Sequence, residues 1–317
     1  MRPLATLAAA CAASLVLYGL VFGFLIDKPL TIGVITELLR AKEDYAARVA
    51  SPKLVIFAGS NARFSHRCET IEPLLAMPCV NFGVARGIGL DYLAGELESV
   101  LHPGDIVYMP LEYDWYLDNK LAAMTGPDAA LMVHGDKLRL LSLGWERTLR
   151  AVFSFDLPFI ISGLSEMALQ RAGVQRRVGL QTMTAQGDET GHTTEKATAY
   201  LAYIASLDPS IPPADAFAAP SYAKQQIVTF LTWARQHGVA IIGGLPTAIE
   251  DAPVSDTVIA AIRRIFETEG GSFLLLPSRS QYKRSCFYDT AFHLTEECQI
   301  AHSAALGKAL QVTLGRR

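Results

Sequence analysis

What the 317-residue chain has little of narrows the field before any motif is read. Charged residues make up only 19%, and the net charge of −3 leaves no basic surplus. Lys and Arg are scattered rather than clustered, which speaks against a nucleic-acid partner. No internal repeat, low-complexity tract or long block of like charge marks a repeat array or a disordered tail. Cysteines number five, and neither Cys68 and Cys79 nor Cys286 and Cys298 has the two-to-four-residue separation of a zinc knuckle. No metal and no cofactor is expected on these grounds.

Charge is missing altogether from Leu4 to Ile26, a run long enough, at ~1.5 Å per residue, to cross a hydrocarbon core of ~30 Å. Arg2 precedes it and Asp27 follows. A cleaved signal peptide has a shorter apolar core and a small-residue exit, whereas Val21, Phe22, Phe24 and Leu25 keep this run apolar to its end. An uncleaved signal anchor is expected, with residues 27–317 outside the cytoplasm by the positive-inside tendency. Lipidation at Cys11 is disfavoured, because the cysteine lies too near the amino terminus and lacks the usual leucine three residues before it. In an oxidising compartment the other four cysteines permit two disulfides in three connectivities. The simplest is Cys68–Cys79 with Cys286–Cys298, and four ordinary buried thiols are the alternative.

Residues 30–50 read as a helix with Ile32, Val34, Ile35, Leu38 and Leu39 on its apolar face. Five strand-length apolar runs follow, Leu54–Ala58, Cys79–Phe82, Asp105–Met109, Val239–Ile242 and Phe273–Leu276, each bounded by turn formers. Helical patterns at Leu90–Leu101, Tyr222–Gln236, Val254–Glu269 and Thr295–Val312 alternate with them. That alternation predicts an α/β fold, a five-stranded parallel sheet between helices. The stretch between the third and fourth runs carries helical patterns at Asp128–Leu141, Trp145–Phe153 and Ile160–Ala172. It predicts a helical insertion at about 117–220, since a structureless loop of that size is improbable. The expected organisation is therefore an anchor over 1–27, a connecting helix over 28–50 and a catalytic domain over 51–317. Within the insertion, Val152 to Leu169 is apolar enough to rest on a membrane surface, a buried cap helix being the alternative.

Open parallel sheets carry their working groups at the carboxyl ends of the strands. After the first run stands Gly59-Ser60-Asn61, a strand-to-helix turn able to present a hydroxyl, though such a serine is often only a cap. The second run ends in Asn81-Phe82-Gly83 and leads to Arg86; a glycine there brings its N–H close to a reacting oxyanion or merely satisfies backbone geometry. The third leads into Pro110-Leu111-Glu112-Tyr113-Asp114-Trp115-Tyr116, read as aromatic walls for a sugar or acyl group, or as core. Near the carboxyl terminus, Asp289 precedes His293 by four residues, the acceptor a catalytic imidazole needs to fix its tautomer.

Together these blocks resemble the SGNH-hydrolase family, and AGSNARF, VNFGVARGIGLDYL, GDIVYMPLEYDWY and FYDTAFHLT are similar to its anchored, DltD- or alginate-O-acetylase-like bacterial subgroup. The resemblance covers about 54–312, apart from the insertion. It implies a flavodoxin-like SGNH fold with Ser60 as nucleophile, His293 as base and Asp289 as its orienter. It further implies an oxyanion hole from Ser60 and Gly83 with Asn61 or Asn81 assisting, and substrate contacts from Glu112, Tyr113, Trp115 and Arg86. The implied activity is an extracytoplasmic serine esterase or O-acetyltransferase acting on an exopolysaccharide such as cellulose or alginate. The implied setting is a single-pass inner-membrane protein with its catalytic domain in the periplasm. Its implied partners are the polysaccharide acceptor and a membrane-bound O-acyltransferase or the synthase and export machinery. Two departures stand out: Glu112 replaces the family's asparagine, and three residues rather than two separate Asp289 from His293. The first leaves open a catalytically degenerate polysaccharide-binding or scaffolding subunit.

Overall fold

In a computed structural model, residues 2–119, 128–174 and 180–315 are described. The chain divides into two compact units, Met1–Glu37 with Met124–Val178, and Leu38–Ala123 with Gly179–Arg317. The division falls inside the helix read as a connector, here Leu30–Arg48 (α2). It also divides the expected insertion, whose residues 180–220 belong to the unit that holds the sheet. Parts of that insertion, 120–127 and 175–179, lie outside the described residues.

The larger unit is built on a five-stranded, wholly parallel sheet. Its strands are β1 (Leu54–Ile56), β2 (Cys79–Asn81), β3 (Ile106–Met109), β4 (Ala240–Gly243) and β6 (Ser272–Phe273), in the order β2-β1-β3-β4-β6. Every residue of β1, β2 and β3 is buried, which is why these segments read as flat apolar runs. The helices α3 (Ser60–Ser65), α4 (Cys68–Leu75), α5 (Leu90–Glu98), α10 (Tyr222–Gln236), α11 (Asp256–Thr268) and α12 (Glu296–Thr313) cover it, α12 packing on α3 and α4. Four of the five expected strands fall where the runs predict. The last is displaced: pairing is confined to Ser272–Phe273, and the apolar residues Leu274–Leu276 follow it outside the sheet. A two-stranded parallel pair, β5 (Ala248–Ile249) with β7 (Gln281–Tyr282), is too short to leave a periodic signal.

The smaller unit contains α1 (Arg2–Leu25), of which Pro3–Leu25 is long and apolar enough to cross a membrane. Its other helices are α6 (Asp128–His134), α7 (Lys137–Ser142), α8 (Trp145–Val152) and α9 (Leu157–Arg171). The pattern over 128–141 breaks in two because Asp136 leaves the helix and caps α7, accepting the Arg139 N–H at 3.1 Å.

Disulfides join Cys68 to Cys79 and Cys286 to Cys298, and Cys11 is free. The first fastens α4 to β2, and the second fastens the segment before α12 to its first turn. In the oxidised, denatured protein a thiol reagent should therefore label one cysteine of the five, and all five after reduction. Full labelling without reductant would contradict both bonds.

Candidate active site

Ser60 is the first residue of α3, directly beyond β1 and at the point where the strand order turns back between β1 and β3. The turn is tight enough to require glycine. A Cβ on Gly59 would lie 2.5 Å from Glu112 Oε1 and 2.8 Å from the Arg86 backbone nitrogen. A Cβ on Gly83 would meet the Arg63 nitrogen at 2.6 Å and the Gly59 oxygen at 2.9 Å.

His293 and Asp289 sit on one hairpin-like segment. The Tyr288 N–H donates to the His293 carbonyl at 2.8 Å, the Thr295 N–H to the Cys286 carbonyl at 2.7 Å, and Phe287 bridges Leu294. Thr290 Oγ1 accepts the N–H groups of Phe292 and His293 at 3.2 and 3.1 Å, closing the turn. This loop absorbs the extra residue between aspartate and histidine. His293 Nε2 lies 2.9 Å from Ser60 Oγ, and its Nδ1 lies 2.6 Å from Asp289 Oδ1. The imidazole stacks on Phe64, with ring centroids 4.3 Å apart and planes 11° from parallel. One nitrogen thus faces the hydroxyl, the other faces a carboxylate, and an aromatic face fixes the ring plane.

The remaining expected residues are placed differently. Gly83 donates its N–H to Asn81 Oδ1 at 3.1 Å, so that donor is turned away from Ser60, and its missing Cβ serves close packing against α3. The Asn81 amide donates to the carbonyls of Ala62 and His66 and to Asp188 Oδ1. Asn61 donates to the Pro110 carbonyl at 3.0 Å, and its Oδ1 accepts from Thr247. The Asn81 amide is thus fully engaged, and the buried Asn61 side chain is held by Pro110 and Thr247. Of the proposed donors, the Ser60 N–H is the one with no acceptor identified among the described residues.

Glu112 is 2% exposed, and its oxygens accept the Gly59 N–H at 3.2 Å and the Asn61 N–H at 3.1 Å, bracketing Ser60. Burial pushes its carboxyl above the usual glutamate value, against the backbone N–H groups and nearby His293. This buried carboxylate anchors the turn that carries Ser60. Tyr113 and Trp115 are corrected likewise. Both are buried, Tyr113 against Phe217 and Trp115 donating from Nε1 to the Arg86 carbonyl at 2.9 Å. The turn after β3 directs these rings inward. Arg86 extends to Asp118 in an ion pair of 3.0 Å, and its own backbone packs against Gly59.

Several residues that sequence reasoning passed over hold the site together. Thr247 Oγ1 lies 2.6 Å from Asn61 Oδ1, 2.8 Å from Ser65 Oγ and 2.7 Å from the Phe292 carbonyl. Ser65 accepts the Leu294 N–H at 3.2 Å and donates to the Phe292 carbonyl. These contacts tie the helix that begins at Ser60 to the histidine hairpin. Thr247 follows β4, so the strand-end rule, applied there as it was to the first three runs, points to it. Phe64 stands four residues after Ser60 and so shares its helix face. The aromatic surface beside His293 is made by Phe64, Tyr288 and the exposed Tyr200, not by the residues after β3. Behind α3, the buried Lys42 amine of α2 donates to the carbonyls of Asn81 and Gly187. Burial brings that amine down to about 7.

No group of His, Cys, Asp and Glu among the described residues is arranged to hold a metal. Compared with known proteins, the chain matches no family model, no curated protein and no solved structure.

Proposed function

We propose that the larger unit is a serine acyl-ester enzyme of the SGNH-hydrolase type. The observation that carries this reading is the Ser60–His293–Asp289 relay, with 2.9 and 2.6 Å between successive polar atoms. Strand order supports it, since counted within the sheet it runs 2-1-3-4-5, that of flavodoxin-like folds, with the relay at the β1/β3 switch point. Ser60 Oγ attacks the carbonyl carbon of an acyl ester while His293 Nε2 takes its proton. The oxyanion is met by the Ser60 N–H, and the protonated imidazole gives its proton to the departing alcohol. A second alcohol or water then loses its proton to His293 and attacks the acyl-serine; as the carbon–Oγ bond breaks, the imidazolium returns that proton to Ser60 Oγ.

More specifically, we propose an O-acetyltransferase or acetylesterase of an exopolysaccharide such as cellulose or alginate. The support is the resemblance to the DltD- and alginate-O-acetylase-like subgroup together with the exposed aromatic surface of Tyr200 and Tyr288 beside His293, suited to stacking on a sugar ring. The α1 helix fits a single-pass inner-membrane anchor with the site in the periplasm, where two disulfides persist. A membrane-bound O-acyltransferase or a polysaccharide export machine is the partner that this setting calls for. Incubating the full-length protein with an activated acetyl ester should leave an acetyl adduct on the Ser60 peptide, seen by mass spectrometry after acid quench. Dilution into acceptor oligosaccharide should discharge it onto sugar faster than onto water. The small number of oxyanion donors favours a second reading, a polysaccharide-binding subunit that has lost catalysis. Under that reading no adduct forms while the oligosaccharide still binds.

A further inference from the structure

The α8–α9 elbow of the smaller unit presents its apolar side outward. Along α8 the exposed residues include Trp145, Leu149 and Phe153, spaced by four, and along α9 they include Leu157, Ile161 and Leu164, spaced by four and three. Trp145 is 78% exposed and Leu157 65%. A helix of a water-soluble body turns such a stripe toward its core; here Gly163 and Glu166 take the buried side of α9. The apolar side of the elbow is thus its exposed side.

The other side of the elbow lies against α1. Tyr18 donates its hydroxyl to the Val152 carbonyl at 2.6 Å. Phe22 packs on Phe155 and Phe159, with centroids 5.6 and 6.1 Å apart, and a Cβ on Gly163 would lie 3.3 Å from Leu25 Cδ2. Going from Val152 to Gly163 thus climbs α1 from Tyr18 to Leu25, about 10 Å along the helix axis. Where α1 crosses a bilayer, the elbow is carried into the same leaflet to that depth, which is the depth at which amphipathic helices bury their apolar sides.

The two helices do not form a second span. They meet at 55°, a bend that breaks the straight run a span needs, and Asp156 and Glu166 stand inside the most apolar stretch. Arg171 closes the outer end of α9, and Trp145, at the outer end of α8, is the residue type that prefers the headgroup boundary.

We propose that the α8–α9 elbow is a half-inserted wedge that lies beside the carboxyl-terminal half of α1, with Trp145, Leu149, Phe153, Leu157, Ile161 and Leu164 in contact with lipid. It rests on α1 being a membrane helix and is independent of the chemistry assigned to Ser60. The unit then holds the membrane by two elements, a span and a wedge, so α1 is fixed against rotation about its own axis.

The test uses full-length protein carrying Cys11→Ala, reconstituted in vesicles of zwitterionic and anionic phospholipid. A polarity-sensitive dye is placed at Phe153→Cys, Leu157→Cys or Ile161→Cys, all exposed positions, with Leu15→Cys in α1 as the reference. Lipids brominated near the headgroup should remove more than about half of the emission at each elbow position, and iodide in the water should remove little. Deep-brominated lipids should act most strongly on Leu15→Cys. Elbow dyes reached by iodide but not by bromolipid, with Leu15→Cys quenched by lipid, would overturn the wedge and leave the anchor standing. Shielding from both quenchers would assign the face to a second copy of the chain, and would also overturn it. Loss of lipid quenching at Leu15→Cys would remove the anchor and the wedge with it.

Discussion

Ser60→Ala should lower kcat/KM for an activated acetyl ester by at least about 10³-fold while leaving the thermal midpoint nearly unchanged. Ser60 is partly exposed and its hydroxyl contacts His293 Nε2, so removing one oxygen opens no large cavity and leaves the Asp289 contact of the imidazole in place. His293→Gln should cost a similar factor. The double variant should be no slower than the worse single one, because nucleophile and base act as a unit. A fluorophosphonate should label the wild-type protein at Ser60 and leave Ser60→Ala unlabelled. Equal rates for wild type and Ser60→Ala would remove the serine-enzyme reading. Equal rates for wild type and His293→Gln would show that the hydroxyl is activated by something other than the imidazole.

Glu112→Ala should be among the most damaging single changes to stability. It leaves the Gly59 and Asn61 N–H groups without their carboxylate acceptor in a buried pocket, at about 1–3 kcal/mol each. Glu112→Gln keeps one acceptor oxygen and should cost less. The pH dependence separates the two effects. Burial raises the Glu112 carboxyl above its unfolded value, so over the pH interval between the two values the folded chain holds a proton that the unfolded chain has released. The contribution of this group is therefore most favourable below the unfolded value and is lost as pH rises through the folded one. Glu112→Gln should lack that decline, so denaturant midpoints of variant and wild type should draw together as pH rises from the ordinary carboxylate range toward neutrality. A constant gap across that range would show that Glu112 does not change its proton affinity on folding.

How much was legible in the sequence follows from which signals are local. Strand positions came through because parallel strands buried on both faces must be continuously apolar, as Leu54–Ile56 and Ile106–Met109 are. Ser60, His293 and Asp289 were legible because each lies at a strand end or before a helix start. The donors were not, because a hydrogen bond is decided by what else stands within 3 Å. Asn81 Oδ1 takes the Gly83 N–H, and the Pro110 carbonyl, far off in sequence, takes an N–H of the Asn61 amide. Tyr113 and Trp115 illustrate the same limit, since an aromatic cluster reads alike whether its turn aims it at core or at solvent. For Val152 to Leu169 the apolar content was visible, but only the side facing α1 told which face was left over.

The hairpin from Cys286 to Thr295 carries both His293 and Asp289, while Ser60 stands on another element. Motion of the hairpin as a body therefore changes the serine-to-imidazole gap but not the imidazole-to-aspartate one. The two fasteners of that body are the Cys286–Cys298 bond and the contacts that Ser65 and Thr247 make with the Phe292 carbonyl. Loosening either changes the Ser60-to-His293 distance and spares the His293-to-Asp289 contact. Under the proposed chemistry such a change should lower the turnover number with both members of the hairpin pair still in place.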